Sequence, residues 1–358
     1  MKLLDAAVGR IAAFVFPAPS RMQPPTKIAS LLLIRPGGIG DAVMLATAIN
    51  SLRKTFPSAH VTILAEKRNE GIFPLIPGVD KLLCYDRPRE FLQAFCCAYD
   101  VVIDTEQWHR LSAVVARFVS APVKIGFDTN ERRRMFTHLI PYSHDDYEAV
   151  SFAQLLVALG IGAEVAEMGV PFLSIPDAAS FKADILLASL FDVPFVALFP
   201  GASIPERRWG GERFRYLAEA LSFIGIKIVV VGGKEDAILG EVITDGGLGL
   251  NLAGITSLPE TAAVIQRSSL LLSGDSGVLH IAAGLGVPAV SLFGPGRAKK
   301  WAPQGEHNAV INKELPCSPC TTFGNTSPCP DNIRCMRDIT VDEVVNAVTT
   351  LLTRVGAV

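Results

Sequence analysis

An α/β chain of two domains is the predicted architecture, on three observations. Two glycine-rich turns, far apart in the sequence, each join a short apolar strand to a segment with helical spacing. Apolar strand-like runs alternate with helical stretches around them. The length, 358 residues, exceeds one typical α/β core and suits two. The later turn, Gly274-Asp275-Ser276-Gly277, follows the strand Leu270-Leu271-Leu272-Ser273 and opens a helix containing His280, Ala282, Ala283 and Gly284. Gly286-Val287-Pro288 ends that helix, and Ala289 to Phe293 reads as the next buried strand. The first amides of such a helix have no intrahelical partner and the macrodipole adds positive charge, so the junction suits a phosphate. Its plainer reading is a crossover in which Asp275-Ser276 only caps the helix.

Residues 1–16 place Leu4, Val8, Ile11 and Val15 on one helical face. Asp5, Arg10 and Pro17 leave too short an apolar core for a signal peptide. The segment is either a surface helix on its own domain or an interfacial membrane helix. Residues 20–27, with Pro24-Pro25, form a linker, so 1–27 stands apart from the first domain. Leu31-Leu32-Leu33-Ile34 is the first strand, Arg35-Pro36-Gly37-Gly38-Ile39-Gly40-Asp41 the first glycine turn, and 42–56 its helix. With Glu66 after the strand at 61–65, this turn invites a nicotinamide-dinucleotide reading, but the third glycine of that fingerprint falls on Val43. Asp41, at a helix N-terminus, is a base or a cap.

Further strands are expected at 81–85 and 101–103, with Asp104 at the carboxyl edge where open α/β sheets bind ligands. Glu106, Gln107, Trp108, His109 and Arg110 follow as a polar, aromatic stretch that lines a ligand pocket or forms a solvated loop. Arg132, Arg133 and Arg134 place three guanidinium groups in one loop, a clamp for phosphates or sugar carboxylates or else a solvated charge run. Prolines 171, 176 and 194 mark the expected hinge, giving domains at 28–175 and 176–340. The second opens on the strand 195–199 and the turn Pro200-Gly201-Ala202-Ser203; Arg207 and Arg208 follow, with Trp209 and Phe214 as core anchors. A strand at 226–231 ends in Gly232-Gly233-Lys234-Glu235-Asp236, and Ser257 with Glu260 forms a capping box for a helix over 258–267. A last capped helix occupies 341–358.

Cys317, Cys320, Cys329 and Cys335 make a C-x2-C-x8-C-x5-C pattern in the polar loop 315–336, which suits one structural zinc or iron; unligated thiols and disulfides are the alternatives. Cys84, Cys96 and Cys97 read as buried apolar thiols. A net charge of −2 argues against a general nucleic-acid binder. No apolar run reaches the roughly 18 to 20 residues that span a bilayer, so a soluble or peripheral chain is expected.

The first glycine turn, Phe199-Pro200-Gly201-Ala202 with Arg207-Arg208-Trp209, and Gly274 to His280 with Phe293-Gly294-Pro295, taken in that order, resemble glycosyltransferase family 9, the ADP-heptose:lipopolysaccharide heptosyltransferases and their relatives. The resemblance spans 28 to the C-terminus. It implies a GT-B fold of two Rossmann-like domains facing across a cleft, the acceptor mainly on the first and the nucleotide-sugar on the second, with the last helix crossing back to the first. It implies an inverting, metal-independent transfer of heptose or a related sugar from an ADP-sugar to a lipopolysaccharide-core-like acceptor. The enzyme would be cytoplasmic, with a peripheral contact at the inner membrane face open to it. Asp41 would be the base; Arg207, where relatives often carry Lys, His280 and the amides of Ser276 and Gly277 would take the leaving charge. Gly38, Gly40, Gly201, Glu235 and Asp275 would complete the nucleotide site, Glu235 on the ribose, and Trp108, Arg132, Arg133 and Arg134 would meet the acceptor. Which of Arg207 and Arg208 acts stays open. A GT-B sugar-nucleotide epimerase, a nicotinamide-dependent enzyme and a silent scaffold are the competing readings.

Overall fold

The structure is a computed structural model that describes Asp5, Gly9 and residues 18–20, 22–25, 27–163, 171–322 and 324–357. The apolar face expected at Leu4, Val8, Ile11 and Val15 lies outside the described residues. Two compact units divide between Gly169 and Val170.

The first unit carries β1 (Ser30–Arg35), α1 (Ile39–Thr55), β2 (His60–Ala65), β3 (Lys81–Cys84), α2 (Pro88–Cys96), β4 (Val101–Asp104), α3 (Arg110–Phe118), β5 (Val123–Phe127), β6 (His138–Ile140) and α4 (Glu148–Leu155). Its six strands are parallel in the order β3-β2-β1-β4-β5-β6. This is the doubly wound order whose connections reverse between β1 and β4, and the carboxyl ends of those two strands bracket the ligand crevice of such sheets. Helices cover both faces, so β1 reads as an unbroken apolar run, and Leu31 to Ile34 are all buried.

The second unit repeats the plan with α5 (Asp177–Leu186), β7 (Phe195–Phe199), α6 (Gly211–Ser222), β8 (Lys227–Val230), α7 (Ala237–Thr244), β9 (Gly249–Asn251), α8 (Leu258–Gln266), β10 (Leu270–Gly274), α9 (Gly277–Leu285), β11 (Ala289–Phe293), α10 (Ala298–Trp301), β12 (Asn308–Asn312), α11 (Arg334–Arg337) and α12 (Val341–Arg354). Its parallel strands run β12-β11-β10-β7-β8-β9, the same winding with its reversal between β7 and β10. Trp209 anchors the core as expected: its ring meets Phe214 edge-on at 5.0 Å and its indole N–H donates to Ile339 O at 3.0 Å. The Ser257–Glu260 capping box forms, with Ser257 N donating to Glu260 Oε2 at 2.7 Å.

Two expectations about domain organisation are corrected. The stretch from Pro171 to Pro194, expected as the hinge, belongs to the second unit: the amides of Phe172 and Leu173 both donate to Gly284 O, and Arg267 ties α5 down through Asp184 at 2.6 Å. The last helix, expected to return to the first domain, buries Val344, Val348, Leu351 and Leu352 in the core of the second, alongside α6 and β10 to β12. Its apolar stripe matches the face of its own sheet, which is sufficient cover for it.

Candidate functional site

In the first unit the β1–α1 turn is built around Arg35. Gly37 takes φ +104°, a left-handed conformation that favours glycine, and its N–H donates to Glu66 Oε2 at 3.1 Å. Glu66 also accepts from Arg68 and Tyr85. Its oxygens are thus engaged in holding the turn, which removes the acid that a nicotinamide-nucleotide ribose would need. Gly38 is the helix N-cap and Gly40 lies in the first turn of α1, so both expected nucleotide glycines shape the approach to Asp41.

Asp41 caps nothing; its carboxylate faces Arg35 Nη2 at 3.8 Å. Burial pushes its carboxyl up to about 6, against the pull of Arg35 and with help from the Glu148 and Glu106 carboxylates. Such a group is ionised at neutral pH and remains basic enough to accept a proton. The Arg35 side chain is 1 % exposed. It also reaches Glu106 Oε2 at 3.2 Å, donates to Thr105 O at 2.9 Å, and lies over the Phe152 ring at 5.6 Å. Glu106 in turn accepts from the amides of Trp108 (3.1 Å) and His109 (3.3 Å), fixing the loop after β4. Glu148, on α4 and fully buried, accepts from Gln107 and from Tyr142 Oη at 3.1 Å. Arg35 and Glu148 are the residues sequence reasoning missed as site members; Glu106 was expected only as part of the polar stretch after β4, as a pocket lining or a solvated loop. Only Arg35 carried a signal, a charge at the carboxyl end of an apolar strand.

The three arginines do not form one clamp, which corrects that expectation. Arg132 is fully buried; its Nη2 pairs with Asp104 Oδ2 at 2.6 Å and its Nη1 donates to Glu106 O. Arg133 is exposed and pairs with Asp128 at 3.0 Å, while Arg134 is half-buried. A single 3-10 turn, Glu131–Met135, points successive residues in different directions, so one faces the core. Trp108 is partly exposed beside this loop, its carbonyl accepting from Asn130 Nδ2 at 2.7 Å. Asp5 caps α3 from outside, accepting from the amides of Arg110 (2.7 Å) and Leu111 (2.8 Å).

In the second unit Asp275 and Arg207 meet: Nη1 lies 3.0 Å from Oδ2. Arg208 instead donates to Ala202 O from Nε (3.3 Å) and Nη2 (3.1 Å), bracing the β7 turn. Ser276 is the N-cap of α9, its Oγ accepting from Leu279 N at 3.4 Å, so the plain capping role belongs to Ser276 and not to Asp275. Gly277 opens α9. His280 is buried one turn in; burial pulls its imidazole down to about 4 and keeps it neutral. His280 Nδ1 and Arg207 Nε are both buried without a hydrogen-bond partner among the described residues. Asp236 is buried against Gly201 and Gly232, accepting from Gly233 N at 3.0 Å, which leaves Glu235 as the exposed carboxylate of this turn.

The four cysteines of the polar loop grade from exposed (Cys317, Cys320) through half-buried (Cys329) to buried (Cys335). Burial and the neighbouring thiols push Cys335 up. Among the described residues no group of three or more His, Cys, Asp or Glu side chains is placed to hold a metal ion. The expected zinc or iron ligand set is therefore not assembled among the described residues. Cys84 is buried, but Cys96 is exposed and Cys97 half-buried, which corrects the reading of all three as core thiols. No described helix is long and apolar enough to cross a membrane.

The sequence model of glycosyltransferase family 9 (heptosyltransferase) matches residues 89–329, more than half of the chain. The chain belongs to glycosyltransferase family 9. It is 26% identical over 289 residues to lipopolysaccharide heptosyltransferase 3 of Escherichia coli, covering 74% of this chain and 83% of the relative. In structure it resembles a family 9 protein of Veillonella parvula (TM-score 0.76, 21% identity, 93% of this chain and 99% of that one). The ADP-heptose lipopolysaccharide heptosyltransferase II of E. coli is also similar (TM-score 0.73, 21% identity, 91% and 99%). The fold is GT-B, and this family 9 protein is a glycosyltransferase.

Proposed function

We propose that this glycosyltransferase moves a heptose from ADP-heptose to a hydroxyl of a lipopolysaccharide-core acceptor, with inversion and without a catalytic metal. The donor and acceptor classes are supported by the relatives, a lipopolysaccharide heptosyltransferase and an ADP-heptose enzyme. The observation that carries the chemistry is Asp41, a carboxylate in the first turn of α1, 3.8 Å from Arg35 Nη2, with its proton affinity raised to about 6.

Asp41 takes the acceptor hydroxyl proton as that oxygen attacks the anomeric carbon. The bond from that carbon to the diphosphate oxygen breaks, and its electron pair leaves with ADP. Arg207, tethered by Asp275, meets the developing charge together with the amides of Ser276 and Gly277 at the start of α9. The buried, unpartnered Arg207 Nε and His280 Nδ1 support an anion as their missing partner, because orphaned polar groups are costly inside a protein. Neutral His280 serves as a hydrogen-bond donor, not as a cation. Glu235 takes the ribose, and Gly201 allows close approach at the β7 turn. Arg133, Arg134 and Trp108 remain the acceptor contacts, and Arg132 positions the loop through Asp104 and Glu106.

In this reading the enzyme works at the cytoplasmic face of the membrane, with residues 1–16 as a peripheral contact. A structural zinc or iron on Cys317, Cys320, Cys329 and Cys335 stands outside the reaction and is decided by elemental analysis of protein purified without chelator. The test of the function is direct: purified protein, ADP-heptose and a core acceptor lacking its outer heptose, with products read by mass spectrometry. A heptosylated acceptor plus ADP is expected. Transfer from UDP- or GDP-sugars with ADP-heptose untouched would overturn the donor assignment.

A further inference from the structure

The cysteine loop takes no part in the reaction proposed above, yet its backbone is bonded to the nucleotide side of the site. Ser318 Oγ donates to Gly294 O, and the amides of Cys320 and Thr321 both donate to Pro295 O, at 3.1 and 2.9 Å. Cys335 and Met336 close on the same turn: a Cβ built on Gly294 would lie 3.1 Å from Cys335 Sγ and 2.5 Å from Met336 Sδ. Two residues on, Gly296 backs Asp275 so closely that a Cβ there would lie 2.0 Å from Oδ2. That oxygen is the one that holds Arg207 Nη1 at 3.0 Å. Loop, turn, carboxylate and arginine thus form one chain of contacts.

The turn needs this support. Beyond β11 its carbonyls have left the strand ladder, and a buried carbonyl must find a donor elsewhere. Gly294, Pro295 and Gly296 are all buried, and Gly294 and Gly296 offer no side chain to wedge them in place. Three loop donors fill that role, and without them Asp275 loses the surface against which it is set.

We propose that Ser318 and the Cys320–Thr321 amides are positioning groups for the donor's diphosphate site, holding the turn at 294–296 so that Asp275 and Arg207 keep their geometry. The inference rests on the reading of that pair as the nucleotide site. It gives the cysteine-bearing segment a role that requires no metal.

The test uses the full chain, ADP titrated by calorimetry, and steady-state constants for donor and acceptor. Ser318→Ala should raise the ADP Kd and the donor KM by about three- to tenfold, the weight of one hydrogen bond, with the acceptor KM within about twofold. Ser318→Thr keeps the hydroxyl and should restore binding. Gly296→Ala should weaken ADP further, because its new methyl displaces the carboxylate. Wild-type ADP affinity in Ser318→Ala and Gly296→Ala, alongside weakened binding in Asp275→Ala, would overturn this inference and leave the nucleotide site standing. Undiminished binding in Asp275→Ala as well would sink the site and the inference together. A Ser318→Ala defect that Ser318→Thr fails to repair would mark general damage to the fold and count against it.

Discussion

Replacing Asp41 with Asn should cost activity and add stability, in a pH-dependent way that few other roles would produce. Asn keeps the shape of the carboxyl and mimics its neutral form. As the base is lost, turnover should fall by roughly a hundredfold or more. Stability should move the other way. A carboxyl raised from 3.8 to about 6 by burial is bound to its proton more tightly in the folded state than in the unfolded one. Its ionisation therefore costs the folded protein up to about 3 kcal/mol, at ~1.4 kcal/mol per tenfold in proton affinity. Below about pH 4 both states hold the proton and the cost is absent. It grows as pH rises between the two values and is complete above the folded one. Asn never pays it, so the variant should match the wild type in acid and exceed it at neutral pH, a trade of stability for activity. Urea melts at pH 4 and pH 8 with parallel rate measurements read both limbs. Equal stability differences at the two pH values, or wild-type turnover, would refute the reasoning.

The remaining predictions concern the charges around that carboxylate and the donor site. Arg35→Gln removes the cation 3.8 Å from Asp41 and should move the acid limb of the kcat/KM profile upward by about one to three pH units, whereas Arg35→Lys should leave it nearly in place; a fixed limb in the Gln variant would exclude Arg35 from tuning the base. Arg207→Ala should weaken ADP by about 1.5 to 3 kcal/mol, the loss of a charged hydrogen bond, and Arg208→Ala by much less, since Arg208 is spent on Ala202 O; calorimetry with the order reversed would reassign the arginines. Gly277→Val should block approach to the α9 amides and abolish measurable ADP binding in protein that still melts cooperatively; retained affinity would put the diphosphate elsewhere.

How much of this was legible follows from physical range. Strands buried on both faces announce themselves as apolar runs, so β1, β7, β10 and β11 and the glycine turns beyond them could be read directly. The edge strand β12, Asn-Ala-Val-Ile-Asn, is only partly buried and carries no such run, and β5 buries Lys124 as its second residue, where the amine is satisfied by Val119 O. The arginine triplet shows the same limit at the level of a site: composition reports three cations, but which of them turns inward depends on Asp104, 28 residues away from Arg132. Arg35 is the sharper case. It sits six positions before Asp41 in a motif that could be seen at once, yet its effect depends on Glu106, 71 residues downstream, and on Glu148 in a helix that nothing in the sequence marks. A proton affinity set by a balance of one cation against several buried carboxylates is a property of their distances, and only the doubly wound sheet, by placing the ends of β1 and β4 side by side, brings those charges within reach of one another.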